Sequence, residues 1–183
     1  MRDSEDQNDC WAEVREKAEP ILAPAFVIET IVGLEPLDRQ FGVANPSRVP
    51  ASLRETMFGQ PDPTPSEIAA EGGSSAVPSL NTFAILDAAK VPGLAEVLDA
   101  TGLERDCLFQ GQAAEEMRDA APWLVRLEEE HSFTRDLFTE GEMPHHMWSR
   151  ASAVFLRSRD SLADLRAHLR KFVKVRDDGG AWF

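Results

Sequence analysis

The stretch from Thr82 to Leu127 alternates strand and helix signals closely enough to set the class of fold. It opens with TFAILDAA, an apolar run of Phe83, Ala84, Ile85 and Leu86 closed by one acid, Asp87. VPGLAEVLDATG follows: Pro92 suits a helix start, Leu94, Val97 and Leu98 share one face, and Gly102 suits a helix end. CLF (Cys107 to Phe109) reads as a short buried strand, AAEEMRDAA as a short helix, and WLVRLE (Trp123 to Glu128) as another strand. Turns fall at Gly93, Gly102, Gly111 and Pro122. Strand, helix, strand, helix, strand is the pattern of an α/β layer.

The alternation continues downstream. SFTRDLF (Ser132 to Phe138) reads as a helix with Ser132 as its N-cap, and AVFLRS (Ala153 to Ser158) as a strand. Met143 to Trp148 is a loop between them. DSLADLRAHLRKFV then carries the clearest helical stripe, Leu162, Leu165, Leu169 and Phe172, with Ser161 and Asp164 placed as a shortened capping box. VKVRDDGGAWF reads as a strand, a turn signalled by Asp178-Gly179, and the start of a second strand. Because a domain seldom ends on an unfinished hairpin, the chain is expected to be a piece of a longer polypeptide.

Upstream the character changes. Residues 1–80 hold 9 of the 12 prolines. Trp11 to Ala18 could form a short helix, PAFVIETIVG (Pro24 to Gly33) an edge strand, and VPASLRETMFG a helix between Pro50 and Gly59. PDPTP and EGGSSAVPS are linker-like. The expected fold is therefore α/β. Residues 1–80 make a Pro-rich extension with a short helix and a possible edge strand. Residues 81–183 make a lobe built on a mixed sheet of about five strands with helices packed on it.

A formal net charge of −13 argues against a general nucleic-acid or anionic-membrane binder, since phosphate contacts need Lys and Arg. Two distant cysteines, Cys10 and Cys107, read as free thiols in a reducing compartment. The acidic start MRDSEDQND does not resemble a signal peptide, and no run of about 18 apolar residues occurs. A cytoplasmic location is expected.

Catalytic and metal motifs are scarce. Asp87 either caps the helix that follows it or offers a carboxylate at the edge of a sheet, where ligand sites form in α/β proteins. His145-His146 has Glu140 and Glu142 nearby, but neighbouring side chains are expected to diverge, so no metal is expected there. His131 and His168 are isolated. Gly72-Gly73-Ser74-Ser75 lacks the lysine and helix of a phosphate loop. Cys107 sits in an apolar strand as an inert thiol, and Glu128-Glu129-Glu130 as a solvated turn.

Charge is segregated instead. From Arg157 to Arg176 there are seven bases and two acids, net +5, leaving −18 for the rest of the chain. One reading is a solvated helix face that complements its own dipole. The other is a docking surface of Arg157, Arg166, Arg170 and Lys171, with Arg166 and Arg170 side by side and pointing away from the leucine stripe. Trp148 and Trp182 are the candidate apolar anchors for a partner.

The ordered series TFAILDAAKVPGLAEVL, CLFQG, APWLVRLE, FTRDLFTEG, VFLRSRDSLADLRAHLRKF and VRDDGGAWF resembles the effector chaperone, or adaptor, domain of bacterial type VI secretion, long catalogued as a domain of unknown function. The resemblance spans about residues 80–183. It implies a binding protein without catalytic residues or cofactor. Such adaptors hold a toxic effector in the cytoplasm of the producing cell and help load it onto the valine-glycine-repeat (VgrG) spike. It also implies a continuation beyond Phe183 into a helical second lobe. The competing expectation is a small α/β hydrolase or nucleotide-binding enzyme in which Asp87 converges with His145 or His146.

Overall fold

The computed structural model describes residues 27–38 and 40–173. The chain divides into two units, Met1–Ile31 and Val32–Phe183. In the first, residues 27–31 have no regular structure, and Val27 and Ile28 are exposed. The edge strand expected over Pro24 to Gly33 is absent from its described part, 27–33. The helix expected at Trp11 to Ala18 lies outside the described residues, as does all but Val173 of the closing hairpin.

The second unit contains α1 (Ala51–Phe58), α2 (Pro65–Glu71), β1 (Asn81–Asp87), α3 (Leu94–Thr101), β2 (Arg105–Cys107), α4 (Gln112–Glu116), β3 (Pro122–Leu127), α5 (Ser132–Phe138), β4 (Ala153–Ser158) and α6 (Leu162–Leu169). The α/β expectation holds. Among the described residues the sheet has four strands rather than about five, in the order β2-β3-β1-β4. Every pairing is antiparallel, not mixed.

The pairings explain why strand–helix alternation coexists with antiparallel ladders. β1 and β2 both run antiparallel to β3, so the crossover through α3 joins two parallel strands with β3 inserted between them. The crossover through α5 likewise joins β3 and β4 on either side of β1. This is a split, interleaved β-α-β arrangement. The central strands are covered on both faces, and their sequences read accordingly as continuous apolar runs.

Register assigns the faces. Phe83 and Ile85 of β1 share one face with Leu124 of β3 and Leu156 of β4. There Phe83, Leu108, Leu124, Leu162 and Leu165 form a buried cluster beneath α6, flanked by Ile85, Leu156, Leu169 and Val173. Burying each of these large side chains contributes about 1.5–3 kcal/mol. On the opposite face, Phe155 stacks on Phe138 of α5 with centroids 5.3 Å apart. Thr82 on that face donates to the Met57 carbonyl of α1.

Helix starts follow local chemistry. The Asp87 Oδ1 accepts from the Ala89 N–H at 3.0 Å and caps a 3-10 turn, so the capping reading describes its contact. Ser161 Oγ accepts from the Asp164 N–H at 3.2 Å, the first bond of the capping-box pattern, but the Asp164 carboxylate accepts from the Ser161 hydroxyl at 2.6 Å rather than from its backbone N–H. α5 is capped by His131, not by Ser132. Its Nδ1 accepts from the Phe133 N–H at 3.0 Å while Nε2 faces the Thr101 carbonyl at 3.2 Å, so one imidazole ties the end of α3 to the start of α5.

Three elements differ from expectation; the helix read over AAEEMRDAA covers Gln112–Glu116 and gives way to turns at residues 117–120. The strand anticipated at Cys107 to Phe109 lies two residues earlier, at Arg105–Cys107, where Arg105 and Asp106 form ion pairs with Asp99 and Arg166. Leu108, beyond the strand, still enters the core cluster. α2 lies between the two linker-like segments and was not anticipated. Thr64 and Glu67 form a complete capping box there, with Pro65 in the first turn and Gly72 ending the helix at φ +78°.

Candidate partner-binding site

A groove of about 800 Å³ lies where the ends of β4 and β1 meet α2 and the first turn of α6. Arg126, Arg157 and Arg159 line it, opposed by Glu67, Glu71, Asp160 and Asp164. These arginines build its walls. Arg159 pairs with Glu67 at 2.7 Å and donates to the Pro78 carbonyl at 2.6 Å. Arg157 donates to the carbonyls of Thr56 (3.0 Å), Gly59 and Leu80 (3.4 Å). Arg126 donates to Asn81 at 2.7 Å. The Arg159 guanidinium, with the Thr64 N–H, holds the Glu67 carboxyl down to about 2. The segment from Thr56 to Leu80 is thus fastened to the sheet through these arginine contacts.

The second basic group lies on α6. Arg166 does not project beside Arg170 as expected; it turns onto the edge strand. Its Nε donates to the Cys107 carbonyl at 2.7 Å and sits 3.2 Å from Asp106, and a terminal nitrogen reaches the Phe109 carbonyl at 3.4 Å. Among the described residues no strand pairs with the outer edge of β2, and Arg166 takes up the Cys107 and Phe109 carbonyls there. Arg170 is half-buried and Lys171 exposed, in the 3-10 turn that continues α6. Phe172 in the same turn is 61% exposed, with the His168 ring tilted against it at 5.3 Å.

The five expected site residues therefore divide. Arg170 and Lys171 stand together beside Phe172. Arg166 and Arg157 serve the structure on opposite faces of the sheet, since Arg157 is in register with Thr82 and Arg166 belongs to the helix covering Phe83. Trp148 is half-buried and borders a cavity of about 140 Å³ with Leu137, Phe138, Met147 and Phe155. Trp182 lies outside the described residues. Phe172 is an exposed aromatic that sequence reasoning missed, because its spacing from Leu169 placed it in the buried stripe. The fading burial along Leu162, Leu165, Leu169 and Phe172 shows α6 running past the edge of its core.

The histidines do not diverge as expected. The rings of His145 and His146 meet edge to face at 4.5 Å, and one donor atom from each lies within 4.8 Å of the other and of an Asp136 carboxylate oxygen. The cluster forms at the end of α5, while Asp87 caps its 3-10 turn at the end of β1. Cys107 is buried, and desolvation raises its thiol pKa, which disfavours the reactive thiolate.

An interleaved antiparallel sheet with helices on both faces and a charged groove at one end defines a small α/β lobe. The chain belongs to the family described as a domain of unknown function (DUF4123), whose model matches residues 82–183. No curated protein matches the chain. No solved structure matches it either. Among the described residues no helix is long and apolar enough to cross a membrane.

Proposed function

We propose that this chain is an effector chaperone, or adaptor, of a type VI secretion system. It binds a cognate toxic effector in the cytoplasm of the producing cell and helps load it onto the VgrG spike. What supports the reading is the series of segments from TFAILDAA to VRDDGGAWF that resembles such adaptors, within the stretch matched by the family model. The observation that carries its mechanism is the turn Arg170-Lys171-Phe172, where an aromatic 61% exposed adjoins two bases on an otherwise acidic molecule. The bases steer and orient an acidic segment of the effector. Phe172 supplies the apolar anchor from which affinity comes. No nucleotide enters this scheme, and binding free energy alone performs the work.

The test is capture of the full-length tagged protein from its native host, with mass spectrometry of what co-purifies. A secreted toxin in near-stoichiometric amount, together with the spike protein, is the expected result. Recovery of neither overturns the proposal.

A further inference from the structure

We infer that Asp136, His145 and His146 form a binding site for a zinc-class divalent ion. An oxygen and two imidazole nitrogens lying within 4.8 Å of one another are the donor set that Zn²⁺ and Co²⁺ prefer over Ca²⁺ or Mg²⁺. Donor separations around a tetrahedral zinc are about 3.3 Å, so the three must close by at most about 1.5 Å. His145 and Asp136 are half-buried, so theirs are the side chains with freedom to close that distance, while His146 is buried.

The backbone beneath the donors is already fixed. The Met147 N–H donates to the Asp136 carbonyl at 3.0 Å, the Trp148 N–H to Thr139 at 3.3 Å, and the His146 N–H to Met143 at 3.0 Å. The end of α5 and the turn carrying both histidines are therefore laced together, and Leu37 pairs with Thr139 on the outer side. Gly141 lies directly against the buried His146 ring, where any Cβ would collide with Nδ1. Arg135 pairs with the Asp136 Oδ1 at 3.2 Å, so the ion is held through the other carboxylate oxygen. Of the three donors, His146 borders a depression of about 220 Å³, which it shares with Asp38, Phe41, Arg135, Thr139 and Met143, so water can approach the site from that side. The bound ion clamps the loop of residues 141–147 to α5.

The experiment uses untagged full-length protein stripped with a chelator and titrated with Co²⁺. The expected result is visible d–d absorption saturating near one equivalent, displaced by Zn²⁺, with a melting temperature raised by Zn²⁺. His145→Ala and Asp136→Asn, each checked for native circular dichroism, are expected to weaken Co²⁺ binding at least tenfold and to abolish the thermal shift. His145 is only half-buried, so its alanine variant keeps the test usable if a change at His146 prevents folding. Absence of the Co²⁺ spectrum from the native protein, or undiminished affinity in both folded variants, overturns the inference.

Discussion

Arg159 and Arg166 illustrate how single charged side chains can do structural work in a molecule this acidic. Arg159 draws the Glu67 carboxyl down to about 2 from an ordinary 4.5. Between those values the unfolded chain binds a proton at Glu67 that the folded chain does not, so stability rises with pH across that window. The contribution is complete above about pH 4.5 and is lost as pH falls toward 2. Denaturant unfolding of Glu67→Gln at several pH values is expected to show a shallower loss over that interval than the parent. An identical slope would contradict the assignment. Arg166 donates to the carbonyls of Cys107 and Phe109 in a half-buried setting. A hydrogen bond to a charged group contributes about 1.5–3 kcal/mol, and the exposed part of its ion pair with Asp106 adds little. Arg166→Ala is expected to destabilise by roughly 1–3 kcal/mol in urea titration, and by more than Arg170→Ala, which should be nearly neutral.

Among the elements, α6 is the one that joins fold to proposed function. Leu162 and Leu165 anchor it over Phe83 and Leu124, and Leu165→Ala is expected to cost about 2–5 kcal/mol in thermal or chemical unfolding. Phe172→Ala, at the exposed end, is expected to leave stability nearly unchanged while weakening partner capture. What was legible in the sequence follows the range of the interactions. The caps at Asp87 and Ser161 were readable because a side chain meets a backbone N–H two or three residues away. The apolar runs of β1 and β3 were readable because burial on both faces leaves a continuous signature. Strand order was not, since inserting β3 between β1 and β2 depends on pairings separated by whole elements. α2 was hidden by the prolines around it, although its Thr64–Glu67 box was present. Arg166 was misread because helical spacing reveals which residues share a face, not which carbonyls lie opposite. The meeting of His145 with His146 was invisible for a related reason: the turn of the loop sets it, and no periodicity reports it.

The whole molecule carries −13, while Arg157 to Arg176 carries +5, so charge is segregated along the sequence. Three of those bases, Arg157, Arg159 and Arg166, are engaged with backbone carbonyls, which leaves Arg170 and Lys171 as the partner-facing charge among the described residues. A complex steered by such a patch associates more slowly as salt rises, with less change in its dissociation rate. The central claim is that the chain grips another polypeptide through that turn. The most direct measurement is the effector recovered per mole of adaptor when Arg170→Glu/Lys171→Glu and the parent are captured side by side from the host. We expect a folded double variant to retain less than about a tenth of the parent's effector, the consequence of losing roughly 1.4 kcal/mol or more. Equal recovery by a variant with the parent's melting temperature would contradict the account.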